Sequence, residues 1–420
     1  VKQMKYFLKL AYKNLSRHKL RTIISISAIV FAVMIVIFAR GFILGMVNSS
    51  YNDYIQYDTG HVKIIDKDYQ LEGRILSLTE NVNSYNGIDT MLEDIQKIEH
   101  VETVTPRIKF GAFTTTEDEL INMIGWGVDP QKEIKVTNIE RQIVEGRMVE
   151  MGNMEVVMGV KLLDKLNKEV GEKVTLVFNN SFNSFNGATF QIVGKINSGL
   201  KMLNETLFYL PIDQTQRLLL MDNEVTEVLV FADHRKNADR IAPQIRELFN
   251  NNQLADQNIV MSYKETGGLI GWLEIAKATY NFIYIFLVVL SSVVIINTMI
   301  MIVNERTKEI GMMSALGLEK NEILYLFLIE GAIMGGLGSF LGAILGGVLT
   351  NILSRVGISF GSALDGFSSD LLFSATIYPE FSINNILFGF ILGLVVVTIA
   401  CVIPARRAAN LEPTDALREI

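Results

Sequence analysis

Glu305, Arg306, Lys308 and Glu309 stand together in the stretch V-N-E-R-T-K-E-I-G-M-M-S-A-L-G over residues 303–317. Charges three to four positions apart can pair along one helix face, so these residues offer ion pairing and protein contact rather than bond making. Met312, Met313, Ala315 and Leu316 would give such a helix its apolar contacts. The same charges also fit an ordinary solvated loop.

Residues for bond chemistry are sparse elsewhere. No G-x-x-x-x-G-K-[ST] phosphate loop occurs, so any nucleotide-driven step belongs to another polypeptide, and the chain is expected to hold no cofactor and no catalytic residue. His18, His61, His100 and His234 are far apart without ligand spacing, which leaves a metal site without support. Glu117, Asp118 and Glu119 read as a solvated turn. Gly336 and Gly338 belong to no complete dinucleotide fingerprint. Basic residues with interleaved aromatics, the pattern of a nucleic-acid surface, form no patch.

The elements that position the charged stretch are apolar. With 49% hydrophobic and 20% charged residues, the chain should divide into embedded and polar parts. Apolar runs occupy residues 23–39, 283–303, 323–353 and 386–403, near or above the roughly 20 residues that cross a bilayer as a helix. The expected order is a cytoplasmic amphipathic helix over 1–22, a first span over 23–47, a polar domain over 48–276 and a second span over 277–303. A short helix over 304–320, a third span over 321–353, an outer loop over 354–382, a fourth span over 383–403 and a tail over 404–420 complete it.

Lys2, Lys5, Lys9, Lys13, Arg17, Lys19 and Arg21 precede the first run with no acid among them, and basic flanks mark the cytoplasmic side. Four spans return the C terminus to that side, where Arg406 and Arg407 agree. The large domain is then extracytoplasmic. Its residues 48–276 carry 34 acidic against 22 basic side chains, which argues against nucleic acid or an anionic surface as its ligand. The one cysteine, Cys401, lies in the fourth run, so the domain must fold without disulfides. No cleavable signal peptide is expected.

Within the domain, Ile88, Leu92, Ile95 and Ile98 recur at helical spacing before a strand over 101–105. A strand over 156–158 leads into the helical face Leu162, Leu163 and Leu166, with Gly171 expected to close that helix. Val174, Leu176 and Phe178 alternate as a strand whose partner is 190–193. Ile241, Ile245, Leu248 and Phe249 form a later helix before a strand over 259–261. Repeated strand-helix-strand units predict α+β modules of the split βαβ kind. Val47, Tyr51 and Tyr54, and Leu269, Trp272, Leu273, Ala276 and Tyr280, extend helical stripes from the flanking spans, as a paired stalk would.

Gly331, Gly335, Gly338, Gly342 and Gly346 put a small-residue face on the third span, for packing inside the chain or against another subunit. Glu330, near the start of that span, fits an interfacial position, or a pair with Lys320 or with a base of the charged stretch.

The 303–317 stretch resembles the coupling-helix signature of the permease family that includes the macrolide exporter MacB, the lipoprotein-releasing subunits LolC and LolE and, more distantly, the cell-division protein FtsX. N-L-S-R-H-K-L-R-T over 14–22 and P-A-R-R-A-A-N-L-E-P over 404–413, with Ala416, Leu417 and Arg418, carry the same resemblance. It implies a membrane protein of four transmembrane α-helices with a large α+β extracytoplasmic domain between the first two. That domain would be a porter-like lobe with a second lobe inserted over roughly 110–222.

The resemblance further implies a bacterial inner-membrane permease working with an ABC ATPase dimer that holds ATP and Mg, and with a second copy or a sister permease. Glu305, Arg306, Thr307, Lys308, Glu309 and Gly311 would couple to the ATPase. Arg17, Lys19, Arg21, Pro404, Arg406 and Arg407 would anchor the cytoplasmic face. The layout looks most like LolC and LolE, which implies lipoprotein substrates and a periplasmic lipoprotein carrier, with Phe182 and Phe185 as possible contacts. The loop over 179–189 departs from the longer, proline-containing loop of LolC-like members. Efflux of a peptide or antibiotic amphiphile through an adaptor and duct is the alternative, and an FtsX-like transducer of a cell-wall hydrolase ranks third.

Overall fold

The computed structural model describes residues 10–11, 19–71, 76–115, 119–267, 269–360 and 376–410. Arg17 and most of the expected helix over 1–22, Glu117, Asp118, residues 361–375 of the outer loop and 411–420 of the tail lie outside the described residues. The chain forms two compact units, one of Ser49–Leu273 with Ser359–Thr376, the other of Val1–Asn48, Glu274–Ile358 and Ile377–Ile420.

Helix α1 (Lys19–Tyr54) runs on into a π-helical turn (Ile55–Thr59). Gly60 follows with φ 60° and ψ −171°, and a Cβ there would lie 3.0 Å from the Val230 carbonyl oxygen, so the turn requires glycine.

The polar unit is built on strands β1 (Val62–Asp66), β2 (Val101–Thr115), β3 (Leu120–Val128), β4 (Ile143–Gly146), β5 (Glu155–Gly159), β6 (Lys173–Asn179), β7 (Phe185–Ile196), β8 (Leu207–Pro211), β9 (Glu227–Ala232) and β10 (Asn258–Ser262). They form a single sheet in the order β10-β1-β9-β2-β3-β8-β5-β7-β4, with β6 pairing β2 and β7. Helix α2 (Ile88–Gln96) links β1 to β2, with β9 between them. Further along the chain are α3 (Pro130–Thr137), α4 (Val160–Leu166), α5 (Ile212–Leu219) and α6 (Ala238–Asn251), the last linking β9 to β10 with β1 between. Two interlocked split βαβ units result.

Ile88, Met91, Leu92 and Ile95 of α2 turn one stripe inward, as do Ile241, Ile245 and Phe249 of α6, and both pack over Val62, Ile64, Val228 and Val230. The long strand β2 pairs β9 through its first half and β3 and β6 through its second. A separate cluster around Trp126, Val157, Leu203 and Tyr209 lies on the opposite face of β3, β5 and β8.

Two local expectations are corrected. Helix α4 ends at Leu166 because Asn167 takes the left-handed conformation at φ 51°, and Gly171, at φ 96°, instead forms the turn into β6. The β6–β7 hairpin turns over 180–184, tighter than 179–189, because Asn180 Oδ1 accepts from the backbone N–H groups of Phe182 and Ser184. Phe185 therefore belongs to a strand, opposite Asn179.

Helix α7 (Leu269–Glu305) is a continuous helix of 37 residues that contains 277–303, and from Glu274 on it belongs to the other unit. It is followed by α8 (Thr307–Ala315), α9 (Lys320–Val356), α10 (Ile383–Ala400) and α11 (Val402–Ala409). Among the described residues, Thr22–Thr59, Lys320–Val356 and Ile383–Ala409 are long and apolar enough to cross a membrane.

The glycine face of α9 packs inside this unit. A Cβ on Gly338 would stand 2.7 Å from that of Ile29, on Gly342 2.8 Å from the Val30 carbonyl, and on Gly346 3.1 Å from the Ile37 Cβ, so these three seat α1. Gly331 and Gly335 receive Cys401 and Val397 in the same way, at 2.4 and 2.9 Å. A second small-residue pair lies on α1, where a Cβ on Gly41 would meet the Glu380 carbonyl at 3.0 Å and one on Gly45 the Tyr378 carbonyl at 2.1 Å. The lead-in to α10 thus crosses α1 at its two glycines.

Candidate functional site

Helix α7 stops at Glu305 because Arg306 leaves helical geometry at φ −98° and ψ 10°. Its carbonyl still accepts from the Ile310 N–H at 2.9 Å, so α8 starts at once, and Thr307 Oγ1 donates to the Asn304 carbonyl at 2.6 Å across the corner. Gly317, at φ 99°, ends α8, with the Leu318 N–H returning to the Met313 carbonyl at 3.1 Å. Glu319 and Glu322 then start α9 with a reciprocal capping box.

The Arg306 side chain turns inward. Its Nη1 donates to Oε1 and Oε2 of Glu330, each at 3.2 Å, with Arg306 7% and Glu330 1% exposed. Of the arrangements the sequence left open for Glu330, the structure has the pair with a base of the charged stretch. A buried pair of this kind fixes geometry more than it adds stability.

Ile310 is fully buried among Val303, Ile323, Phe327, Ala405 and Ala408, and Gly311 beside it is also buried. Met313 packs on the same cluster. Of the other residues expected to give this helix its apolar contacts, Met312 is 50% and Leu316 83% exposed, and Ala315 is exposed as well. Because α8 begins at Thr307, the 3.6-residue period brings Ile310, Gly311 and Met313 inward and turns Lys308, Met312, Ala315 and Leu316 outward. The outward face joins one cation to two large apolar side chains, a composition suited to a protein groove.

Of the residues expected to anchor the cytoplasmic face, Pro404 is buried in the first turn of α11, where its missing N–H costs no hydrogen bond. Arg406 and Arg407 are exposed in the last turn, Lys19 is exposed at the start of α1, and Arg21 lies within α1. Glu305 and Lys308 are exposed, and Glu309 is half-buried. The structure joins Arg306 to Glu330 and buries Ile310 beside Gly311, and neither Glu330 nor Ile310 is among the residues the sequence expected to couple to an ATPase subunit.

Phe182 and Phe185 lie in the other unit. Phe182 is 74% exposed on the hairpin turn, and Phe185 is 69% exposed with its ring edge-on to Phe113 at 6.0 Å.

Residues 22–248 match the MacB-like periplasmic core domain, over half of the chain, and residues 281–413 match the FtsX-like permease C-terminal region. The chain belongs to this family of ABC transporter permeases. The permease is 22% identical to the lipoprotein-releasing system transmembrane protein LolC of Neisseria meningitidis serogroup B, over 83% of this chain and 87% of that protein. It is 25% identical to the ABC transporter permease YknZ of Bacillus subtilis over 98% of each. To the macrolide export ATP-binding/permease protein MacB of Haemophilus ducreyi it is 21% identical, over 97% of this permease and 55% of that protein.

Proposed function

We propose that this permease couples ATP hydrolysis by a separate subunit to movement of its polar domain, and that the transported substrates are lipoproteins released from the outer leaflet of the inner membrane. The observation that carries the substrate class is the likeness to LolC over most of both chains. In this reading the basic N-terminal flank and α8 are cytoplasmic, and the domain of Ser49–Leu273 is extracytoplasmic.

The corner geometry supports the coupling step. A subunit closing on ATP presses the outward face of Lys308, Met312 and Leu316. The buried Ile310 and the Arg306–Glu330 pair join α8 to α9 and to the end of α7, so α8 cannot slide alone. Displacement passes to the helices as a block. Efflux of an amphiphile is the second reading, favoured by the tight hairpin turn over 180–184.

Purification of the permease from its host in nanodiscs, with mass spectrometry of bound species, tests this. Triacylated lipoproteins with an ATPase and a sister permease are expected. An adaptor protein without lipoprotein transfers the assignment to efflux.

A further inference from the structure

The π-helical turn that ends α1 is fastened to the sheet by directional bonds. Arg107 Nη1 donates to the Tyr57 carbonyl at 2.6 Å, Gln56 Nε2 to the Thr137 carbonyl at 2.6 Å, and Lys109 Nζ to Asp58 Oδ1 at 2.6 Å. Behind Asp58, Glu227 of β9 lies 2.8 Å from Lys63 Nζ and 3.1 Å from Lys109 Nζ, with Arg107 at 3.8 Å. Arg107 Nη2 also holds both oxygens of Glu133 on α3, at 2.9 and 3.1 Å, and its guanidinium lies 4.2 Å from the Trp126 ring centre.

Three bases and three acids thus balance one another. Arg107 and Glu133 are fully buried and Glu227 is 1% exposed, whereas the Asp58 side chain is 26% exposed. Burial pushes Glu227 up, and Lys109, Lys63 and Arg107 outweigh it to hold the carboxyl below the usual range. An apolar core of the same volume would be at least as stable. What a charge network adds is register, because short charged bonds resist the sliding that apolar surfaces permit.

Asp58 is the acid on the helical turn, and its partners lie on β1, β2 and, through Glu227, β9. We infer that Asp58 is a positioning residue that makes movement of α1 act on these three strands, with Lys63, Lys109 and Glu227 as its seat. The inference rests on the reading above that the domain moves with ATP turnover.

The test uses the full permease with its ATPase subunit in nanodiscs, reading thermal melting and the change in amide exchange of residues 62–66 and 227–232 on vanadate trapping with ATP. Asp58→Asn is expected to cut that change about tenfold, the loss carried by one charge-assisted hydrogen bond. Asp58→Asn with Lys109→Met removes the excess cation and regains melting temperature, yet still lacks the change. Glu155→Gln, which breaks the Arg147–Glu155 pair away from the turn, lowers melting and keeps the change. A wild-type change in Asp58→Asn or in the double variant overturns the inference, and so does loss of the change in Glu155→Gln. No change in the wild type removes the coupling reading and this inference with it.

Discussion

Arg306 and Glu330, 24 positions apart, meet as a buried ion pair that ties the corner between α7 and α8 to α9. Arg306→Met strands the Glu330 carboxylate and should destabilise the permease by about 3–5 kcal/mol, the cost of an uncompensated buried charge. The double variant Arg306→Met with Glu330→Met should melt close to the wild type. A double-mutant cycle on detergent-solubilised protein measures this, and additive losses would show that the pair is not coupled.

The outward face of α8 carries the second prediction. Leu316→Asp is expected to leave melting unchanged, since the residue is 83% exposed, and to weaken binding of the ATPase subunit about tenfold or more, as loss of an apolar anchor does. Titration of that subunit onto nanodisc-embedded permease gives the answer.

Glu309→Ala and Gly311→Ala should leave the protein folded and let ATP turnover continue while transport falls. Full transport with both positions replaced would remove the coupling role from α8.

On α9, Gly338→Ala drives a methyl to 2.7 Å from the Ile29 Cβ and should cost about 1–3 kcal/mol as overpacking. Gly336→Ala has Leu394 Cδ1 at 3.9 Å as its nearest neighbour and should be neutral or stabilising by up to about 1 kcal/mol. Comparing the melting of the two variants separates a packed glycine from an unneeded one.

His61 supplies a pH signature. Its Nδ1 accepts from the Ala232 N–H at 3.0 Å, and burial, aided by Arg235, pushes its pKa down to about 4. The folded value lies below the unfolded value near 6.5, so its contribution is complete above that pH and is lost as pH falls from about 6.5 to 4, by at most about 3 kcal/mol. His61→Gln should flatten the melting curve against pH across this window; an unchanged slope would assign the dependence to other groups.

Much of the polar unit was legible because its signals are local. The spacing of Ile88, Leu92 and Ile95 names a helix and its buried face, and the alternation of Val174, Leu176 and Phe178 names a strand and its inward side. The glycines of α9 announced a close-packed face, but which helix fills it depends on side chains some 300 positions away, such as Ile29. The sequence left the partner of Glu330 open among several arrangements, and the inward turn of Ile310 was hidden because helix phase is set by where Arg306 breaks the backbone. Gly41 and Gly45 passed as ordinary apolar sequence. The charge network was the least readable part. Arg107 and Lys109, two apart on a strand, look like a solvated face until Glu227 arrives from over a hundred residues later.

The sheet order also sets the order of assembly. Strand β1 finds its edge partner only when residues 258–262 emerge, and the first half of β2 waits for residues 227–232. The hairpin of β6 and β7 and the β2–β3 pair close over short loops, so they form while those earlier strands are still open. Newly made chains therefore carry bare strand edges on 62–66 and 101–107 through most of the synthesis of the domain, a period in which aggregation competes with folding.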